Sequence, residues 1–397
     1  MPGRYLNLLH LACHAKDYDR AVLLVEAGTC DVDSATPGGF SPLMIASLTH
    51  QARLARYLLS KGGNVSQKAI NGRTALMVAA DGGYLDITTL LVDAGAAVDT
   101  ADTDEKRTAL HLAVEGKHFE VVKFLLEAKA NPSARYRDGR TPLHAACWTG
   151  DVRMIDLLVR AGNDPQASTK GTQKMVALDF AAESGQCEAI VYMVIAIGLA
   201  SCGGDSAGVI ALQKAAFFGQ IDALRTLASF GVQDTRGVAL VGAILWETDD
   251  KCAKFLLRQY EEHALGHINS ATDTIGRSAL GCAAGRSPKK VQWLLEAGAD
   301  ATALMDLGGI YILPLNYVET LIEAREEEDK RTLRKAIRRT LLRAPAIQGV
   351  SWDWGRRTTT STDCGVLTVV PRIRRVAQRE RSRVVLARLM RFATKLD

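Results

Sequence analysis

Short blocks of small and branched apolar residues recur along this chain, separated by polar stretches that return with the same spacing. The clearest block is Thr141-Pro-Leu-His144, and about fifteen residues later a second apolar run, Leu157-Leu-Val-Arg-Ala-Gly162, ends in glycine. Each unit of this kind predicts two short helices with one apolar face. Such a unit cannot bury that face alone, so successive units are expected to stack. Altered copies of the block are Thr108-Ala-Leu-His111, Thr74-Ala-Leu-Met77 and Ser41-Pro-Leu-Met44.

The polar stretches between the blocks carry turn and capping residues. The pair Asp138-Gly139 is typical of a tight turn, so each stretch is predicted to form a β-hairpin finger. Thr141 then predicts a helix N-cap, and Pro142 fits the first turn because its missing N–H would have no partner there. Gly150 predicts the end of this first helix.

The spacing of the blocks is regular enough to define a register along most of the chain. The intervals between marks are 34, 33, 34, 33, 35, 34, 28, 40 and 35 residues, and the two irregular ones together equal twice 34. Val238 therefore marks a unit that is shortened before it and lengthened after it, and the insertion at 260–273 is expected to protrude. The marks fall at Asn7, Ser41, Thr74, Thr108, Thr141, Val176, Ile210, Val238, Ser278 and Leu313.

This motif and this period resemble those of the ankyrin-repeat family, over about residues 7–315. The resemblance implies an all-α solenoid of about nine or ten stacked ankyrin-like helix-turn-helix repeats with β-hairpin fingers. The repeat domain is expected over residues 4–315, and it is degenerate around 237–275. In the family, the block histidine bonds the backbone and the threonine between neighbouring units, so a structural role is expected for His10, His111 and His144.

The C-terminal part of the chain departs from the repeat pattern. Residues 316–343 are highly charged outside one apolar stripe and predict a C-terminal capping helix. Residues 344–371 are interpreted as a linker or a small hairpin, and residues 372–397 as a basic amphipathic helix or a disordered tail. The candidates for contact with a membrane or a partner groove are Arg381, Arg388, Leu389, Arg391 and Phe392.

Charge and cysteine usage narrow the function classes. The net charge of +5 is concentrated in the tail, because residues 344–397 hold eleven Lys/Arg against four Asp/Glu. The eight cysteines include no Cys-x-x-Cys pair, so they are interpreted as small buried residues in a reducing compartment. The start lacks an apolar run of signal-peptide length, which favours a cytoplasmic protein, with a nuclear location left open.

No pattern in the sequence predicts catalysis or a bound cofactor. Phosphate-binding, nucleophile-elbow and kinase motifs do not occur, so we expect a protein that is not an enzyme and binds no small-molecule substrate. The pairs His10/His14 and His263/His267 lack a third ligand nearby, so no metal and no cofactor are expected. Nucleic acid is not an expected partner, because basic and aromatic residues do not interleave.

Partner binding is the positive prediction. The family resemblance implies that partners contact the fingers and the exposed end of each first helix, where tryptophan, tyrosine and arginine dominate interface energetics. We predict a protein or peptide partner, of acidic character because the fingers carry several cations. The alternative that Trp148 packs on a neighbouring helix and the charges are solvated stays open. The candidate residues are Arg107, Glu115, Arg135, Tyr136, Arg137, Trp148, Glu183, Phe217 and Phe218.

Two functions follow from these observations. The first is a non-catalytic scaffold or adaptor that presents a concave finger and inner-helix surface to a partner. The alternative is a regulator tethered to an anionic membrane surface, or to a partner groove, through residues 372–397.

Overall fold

The structure is a computed structural model of the 397-residue chain. It divides into two compact units: the first comprises Met1–Ala211 and Arg225–Phe230, and the second comprises Leu212–Leu224 and Gly231–Asp397. The predicted capping helix, linker and basic tail, with the five tail candidates, lie outside the described residues. The described residues are 7–171, 174–198, 207–234, 237–245, 250–263, 268, 278–284, 287–301, 305–306 and 311–312.

The first unit is built from successive helix pairs, as the block pattern predicted. Each first helix begins at a block, and each second helix begins a few residues after the first one ends. The pairs are α1 (Leu8–His14) and α2 (Tyr18–Glu26), α3 (Pro42–Leu48) and α4 (Ala52–Ser60), α5 (Ala75–Asp81) and α6 (Leu85–Asp93), α7 (Ala109–Glu115) and α8 (Phe119–Glu127), α9 (Pro142–Thr149) and α10 (Val152–Arg160), and α11 (Ala177–Glu183) and α12 (Cys187–Tyr192), which continues as a π-helix (Met193–Gly198).

Further helix pairs follow along the chain. They are α13 (Ala207–Phe217) and α14 (Ile221–Ser229), α15 (Val238–Leu245) and α16 (Lys251–His263), and α17 (Ala279–Ala284) and α18 (Pro288–Glu296). Two short strands, β1 (Met305–Asp306) and β2 (Tyr311–Ile312), pair antiparallel, with Met305 opposite Ile312. The tenth register mark, Leu313, and most of the predicted insertion lie outside the described residues.

The block residues start the first helices in the way their chemistry predicts. The Ser41 hydroxyl accepts a hydrogen bond from the Met44 N–H at 3.2 Å, and the Thr74 hydroxyl accepts one from the Met77 N–H at 3.3 Å. These bonds occupy N–H groups that have no partner inside the helix. The last turn of α9 ends at Gly150, whose φ of 76° requires the left-handed region that glycine enters without a steric penalty.

The core of the first unit lies between its helices, since the first helices are buried on most sides. α5 is an example: its six residues from Ala75 to Ala80 are all buried, and four of the six side chains are alanine or valine. Small side chains allow α5 to pack closely on both α3 and α7. The second helices bury one face only, as Val121, Val122 and Leu125 do in α8. Each helix pair in this unit therefore packs against the next helix pair along the chain.

The segments that were predicted as β-hairpin fingers are short turns closed by backbone hydrogen bonds. Tyr136 N–H donates to Arg140 C=O at 2.8 Å, and the same bond joins Ala69 to Arg73 and Thr36 to Phe40. Residues 7–171 contain no regular strand, because each finger has only one or two hairpin bonds. Adjacent finger tips are joined by the bonds Ile70 N to Gly38 O (3.1 Å), Thr103 N to Asn71 O (3.0 Å), Arg137 N to Glu105 O (2.8 Å) and Lys170 N to Asp138 O (2.7 Å).

The second unit holds a buried lysine between its helix pairs. The Lys290 side chain of α18 is almost fully buried, and its Nζ donates to the Ile244 carbonyl at 3.1 Å. Asp250 lies 3.7 Å from the same Nζ, so the ammonium charge has a carboxylate beside it. Lys254 of α16 lies over the Trp293 ring, 4.4 Å from its centroid. These contacts join α15 and α16 to α18.

Four of the six cysteines in the described residues are buried, while Cys30 and Cys187 are partly exposed. Cys13, Cys147, Cys252 and Cys282 are buried, which agrees with their interpretation as small core residues. Burial raises the pKa of the Cys13 thiol to about 12, so this thiol stays protonated at neutral pH. Among the described residues, no helix has the length and apolar content needed to cross a bilayer.

Candidate functional site

One residue from each of the first helices α3, α5, α7, α9 and α11 reaches the surface at the same register position. This residue follows the capping residue by seven positions, near the C-terminal end of the helix. Because α3, α5, α7, α9 and α11 pack in sequence, these residues form a row across the unit. We call Leu48, Asp81, Glu115, Trp148 and Glu183 the helix-end row.

Trp148 has the largest side chain in the helix-end row, and 47% of it is exposed. The covered part packs edge-on against Phe180 of α11, with the ring centroids 6.4 Å apart. Phe180 in turn lies edge-on to His144, at 5.2 Å. Trp148 therefore contacts the neighbouring helix and also presents a large apolar surface to solvent, so each of the two alternatives from the sequence describes part of this ring.

Tyr136 does not lie on the surface, where the sequence analysis placed it. Its side chain is only 2% exposed, and its ring centroid lies 4.3 Å from that of His111. The hairpin bond between Tyr136 and Arg140 turns the tyrosine toward the first helices, and the Arg140 guanidinium lies over the ring, 4.8 Å from its centroid. Tyr136 is therefore a core residue of its finger, whose effect on a partner would be indirect.

The Tyr136 hydroxyl holds the carboxylate of Glu115, a member of the helix-end row. The hydroxyl donates to Oε1 of Glu115, while the rest of the glutamate is exposed at the end of α7. Burial of Tyr136, together with this bond and the negative charge of Glu115, raises the pKa of the tyrosine well above its usual range. The hydroxyl is therefore always protonated and remains a donor, which orients the Glu115 carboxylate.

The cations of the fingers are bonded within the first unit. Arg107 Nε donates to the buried Asp102 carboxylate at 2.9 Å. Burial alone would raise the pKa of Asp102, but hydrogen bonds from the Arg107 backbone and side chain bring it below its usual range. Arg140 likewise bonds Asp138 at 2.7 Å. The positive charge that the sequence analysis assigned to this edge is thus partly compensated by carboxylates next to it.

Arg135 and Arg137 bind backbone carbonyls of adjacent fingers. Arg135 Nη1 donates to Ser168 C=O at 2.9 Å, and Arg137 Nη2 donates to Thr103 C=O at 2.7 Å. Both side chains remain exposed, so they support the finger array and are accessible to a partner at the same time. The partner-binding role of these residues stays a prediction.

Phe217 and Phe218, two other candidates, lie in the second unit. Their rings pack edge-on at 5.2 Å, and 41% of Phe217 is exposed, while Phe218 is half-buried. Phe217 is the last residue of α13 and Phe218 follows it, and neither ring is fully buried. Glu183, the remaining candidate, is partly exposed at the end of α11.

Asp102 and Phe180 are central to this surface and were not predicted from the sequence. Asp102 anchors Arg107, and Phe180 supports Trp148. A register comparison could have found Phe180, because its position holds Ile45, Val78 and Leu112 in earlier repeats and an aromatic ring in α11. Asp102 carries no comparable signal, since its role depends on how one finger folds back on itself.

His111 and His144 act as helix caps in this surface. The Nδ1 atom of each ring accepts a hydrogen bond from the backbone N–H of the block threonine, at 3.2 Å for Thr108 and 3.0 Å for Thr141. Burial lowers the pKa of both imidazoles to about 4, so both rings are neutral at physiological pH. Within the described residues, no three side chains of the metal-ligating types come together.

Comparisons with known proteins identify the repeats. Residues 61–136 match the family model for ankyrin repeats in three copies, and residues 138–170 match the model for a single ankyrin repeat. Residues 61–136 and 138–170 are therefore ankyrin repeats, as the motif and the period predicted for this part of the chain.

The curated relatives resemble this chain over its repeats only. Ankyrin repeat and KH domain-containing protein mask-1 of Caenorhabditis elegans is 31% identical over 153 residues, which is 38% of this chain and 6% of that protein. The B-cell lymphoma 3 protein homolog of Mus musculus is 32% identical over 160 residues, or 39% of this chain and 36% of that protein. The nuclear factor NF-kappa-B p105 subunit of Mus musculus is 37% identical over 95 residues, or 24% of this chain and 10% of that protein.

The chain therefore spans a small part of each of these relatives. Their shared feature is the ankyrin repeat, and ankyrin repeats generally mediate protein–protein interaction.

Proposed function

We propose that this chain is a non-catalytic scaffold or adaptor that holds a partner protein or peptide on the helix-end row and the adjoining fingers. The observation that carries the proposal is the position of Trp148, which is half exposed on the surface of a well-packed repeat. A soluble protein gains nothing in stability from the exposed half of a tryptophan, whereas a partner that covers it gains a large apolar contact.

The arrangement of reactive side chains supports a role in binding rather than in catalysis. His111 and His144 are buried, neutral and engaged as helix caps, so neither is placed as a general base. The finger arginines are bonded to carboxylates or carbonyls of the same unit. The exposed row instead offers one apolar or acidic side chain per helix, which is the arrangement of an interaction surface.

The experiment is affinity capture with the full chain and its Trp148→Ala variant, using cell extract followed by quantification of each captured protein. Loss of a central tryptophan costs about 2 kcal/mol or more, so a genuine partner should bind about thirtyfold more weakly. The matched control is Leu23→Ala, which removes an exposed apolar side chain (66% exposed, against 47% for Trp148) from the second helix α2, outside the row. Partners that bind Trp148→Ala normally but lose affinity for Leu23→Ala would contradict the proposal.

The alternative, tethering through residues 372–397, concerns a segment outside the described residues. No contact of the described part favours it over the scaffold role, so it remains a sequence-based prediction.

A further inference from the structure

The first repeat exposes leucines at register positions that later repeats cover. Leu8 and Leu11 of α1 are 50% and 48% exposed, and Leu23 of α2 is 66% exposed. α1 packs on α2 and on α3, and no described residue precedes Asn7, so no described element lies on the other side of this helix pair. We call Leu8, Leu11, Asp19, Arg20 and Leu23 the leading face.

In the first helices, the position of Leu11 packs on the preceding repeat. Phe180 holds this position in α11, four residues after the capping residue, and its ring contacts His144 and Trp148 of α9. Leu11 is therefore exposed because no described helix lies before α1. The equivalents in α3, α5 and α7 are Ile45, Val78 and Leu112, and all three are at most 3% exposed.

The second helices show the same arrangement at the position of Leu23. Tyr57 holds this position in α4, and its ring lies edge-on to Tyr18 of α2, with the centroids 6.1 Å apart. Tyr192 holds it in α12, and its hydroxyl donates to Asp156 Oδ1 of α10 at 2.6 Å. In these repeats the position faces the preceding helix pair, so Leu23 lies on the same side of the first repeat as the α1 leucines.

A charged pair distinguishes the leading face from an ordinary contact between repeats. Arg20 is exposed, and Asp19 is exposed beside it. A further ankyrin-like repeat would cover Arg20 with apolar side chains and bury its charge without a partner, which is costly. The face therefore suits a partner that combines an apolar surface with a carboxylate. The residues equivalent to Arg20 in α4, α6, α8 and α10 are apolar and buried, namely Leu54, Ile87, Val121 and Met154.

The leading face itself carries the groups that such a partner needs. In a contact between two identical faces related by a two-fold axis, every pair of contacting residues occurs twice. Asp19 of each copy then meets Arg20 of the other copy, while the leucines of both copies lie together. Residues 1–6 are too few to supply a helix pair, which takes residues 8–26 in the first repeat. We propose that the leading face binds the same face of a second copy of this chain.

The size of the face sets the strength expected of this contact. The seven residues of α1 and the nine of α2 form helices about 10 and 14 Å long. A face of this length and two helices wide offers less than the roughly 800 Å² per partner that stable complexes bury. We therefore expect a reversible dimer whose population rises with protein concentration.

The leading face is separate from the helix-end row, so this inference does not rest on the scaffold role. Below the dissociation constant of the dimer the chain is monomeric. Partner capture and hydrogen exchange of Leu23→Ala and the other variants are compared at such concentrations, where self-association does not contribute.

Sedimentation velocity of the full chain between about 1 and 200 µM measures self-association. We expect the weight-average sedimentation coefficient to rise with concentration toward that of a dimer. Leu11→Glu and Leu23→Glu should each raise the dissociation constant at least about tenfold, because each places a carboxylate among leucines. The matched control is Ile195→Glu, which changes a 69% exposed apolar side chain of the π-helix and should have no effect. Unchanged circular dichroism shows that the variants fold.

Two charge variants test whether the second copy binds through the same face. Arg20→Asp leaves two adjacent carboxylates, and Asp19→Arg leaves two adjacent guanidinium groups. Like charges then meet across the two-fold axis, so each variant alone should dimerise at least about tenfold more weakly than the parent. In an equimolar mixture the acidic face of one variant meets the basic face of the other, and the dimer should return.

Two results would overturn the inference. The first is a parent chain that stays monomeric over the whole concentration range, since the leading face would then have another occupant. The second is self-association that both leucine variants leave unchanged, or that the mixture of charge variants does not restore, since a different surface would then be in contact. Neither result affects the scaffold role, which Trp148→Ala tests separately by partner capture.

Discussion

His111 and His144 show how a single side chain links neighbouring repeats and makes the fold sensitive to acid. Each ring is neutral because burial lowers its pKa to about 4, whereas an unfolded histidine titrates near 6.5. Between these two pH values the unfolded chain binds more protons than the folded one, so stability falls as the pH falls. The contribution is complete above about pH 6.5 and is lost progressively toward pH 4.

Replacement of His111 by methionine should flatten this pH dependence. Methionine is the residue that this chain uses at the same position in two other repeats, Met44 and Met77, where serine or threonine alone caps the helix. Each histidine contributes a loss of up to about 3 kcal/mol between pH 6.5 and 4, and His111→Met should remove its share. Urea unfolding at several pH values measures this.

The control for this prediction is Leu112→Met, a conservative change on the same helix that removes no titrating group. It should retain the pH dependence of the parent. An unaltered loss of stability on acidification of His111→Met would show that the imidazole is not responsible.

The structural role of the histidines was predicted correctly from the sequence, but Tyr136 was predicted at the surface and is buried. The reason lies in the geometry of the fingers. The histidine role follows from a repeated motif, whereas tyrosine is frequent both in cores and at interfaces. A signal was present: Ala69, the equivalent residue of an earlier finger, is also buried and makes the same hairpin bond. Hydrophobicity alone could not have distinguished the two positions, because the finger reverses direction within five residues.

At the scale of the element, glycine is needed in a finger for two reasons: the backbone takes a positive φ, and the next finger lies too close for a side chain. Gly72 has a φ of +76°, and a Cβ at this position would lie 2.8 Å from the Thr103 nitrogen of the next finger. That nitrogen donates to Asn71 C=O at 3.0 Å, so the side chain would displace the bond that joins the two tips. Gly95 has a similar φ of +87° with nothing within 4 Å of its Cβ position.

Gly72→Ala and Gly95→Ala should therefore destabilise the protein to different extents. Both substitutions carry the left-handed backbone penalty of about 1–2 kcal/mol. Gly72→Ala should cost about 1–2 kcal/mol more, because it also breaks a partly buried hydrogen bond. The free energies of unfolding in urea give the comparison, with Gly95→Ala as the matched control. Equal costs would mean that the close approach between fingers contributes nothing.

The helices were more predictable than the fingers. Periodic apolar positions and capping residues define a helix locally, so the starts at Ser41, Thr74 and Thr141 follow from the sequence. The fingers are held mainly by bonds to other fingers, and such bonds leave no pattern within one segment. This explains why strands were expected where the structure has turns.

At the scale of the molecule, the first unit is a series of helix pairs in which each pair packs on its neighbours. Stability in such a series is expected to be shared between adjacent repeats and to decline with distance from a damaged one. The regular intervals of the sequence predicted this arrangement. Even across the irregular intervals, the marks at Val238 and Ser278 coincide with the starts of α15 and α17 in the second unit.

Leu125→Ala should loosen the middle of the first unit more than its start. Leu125 of α8 is completely buried, and its truncation should cost about 2–5 kcal/mol. Hydrogen exchange followed by mass spectrometry should show faster exchange in α5 through α10 and smaller changes in α1 and α2. The exposed Leu23→Ala is the control and should change little. Uniform acceleration across the unit would indicate a single cooperative core instead.

The bonds between successive finger tips have a consequence for how such a surface diversifies. All four use only main-chain N–H and C=O groups, so they do not depend on which side chains the tips carry. Side chains such as Ile70 and Arg137 can therefore be exchanged while the distance from one tip to the next is retained, provided that the glycines remain. The main chain thus sets the spacing between adjacent finger tips, whereas the chemical groups that the tips present to a partner can vary.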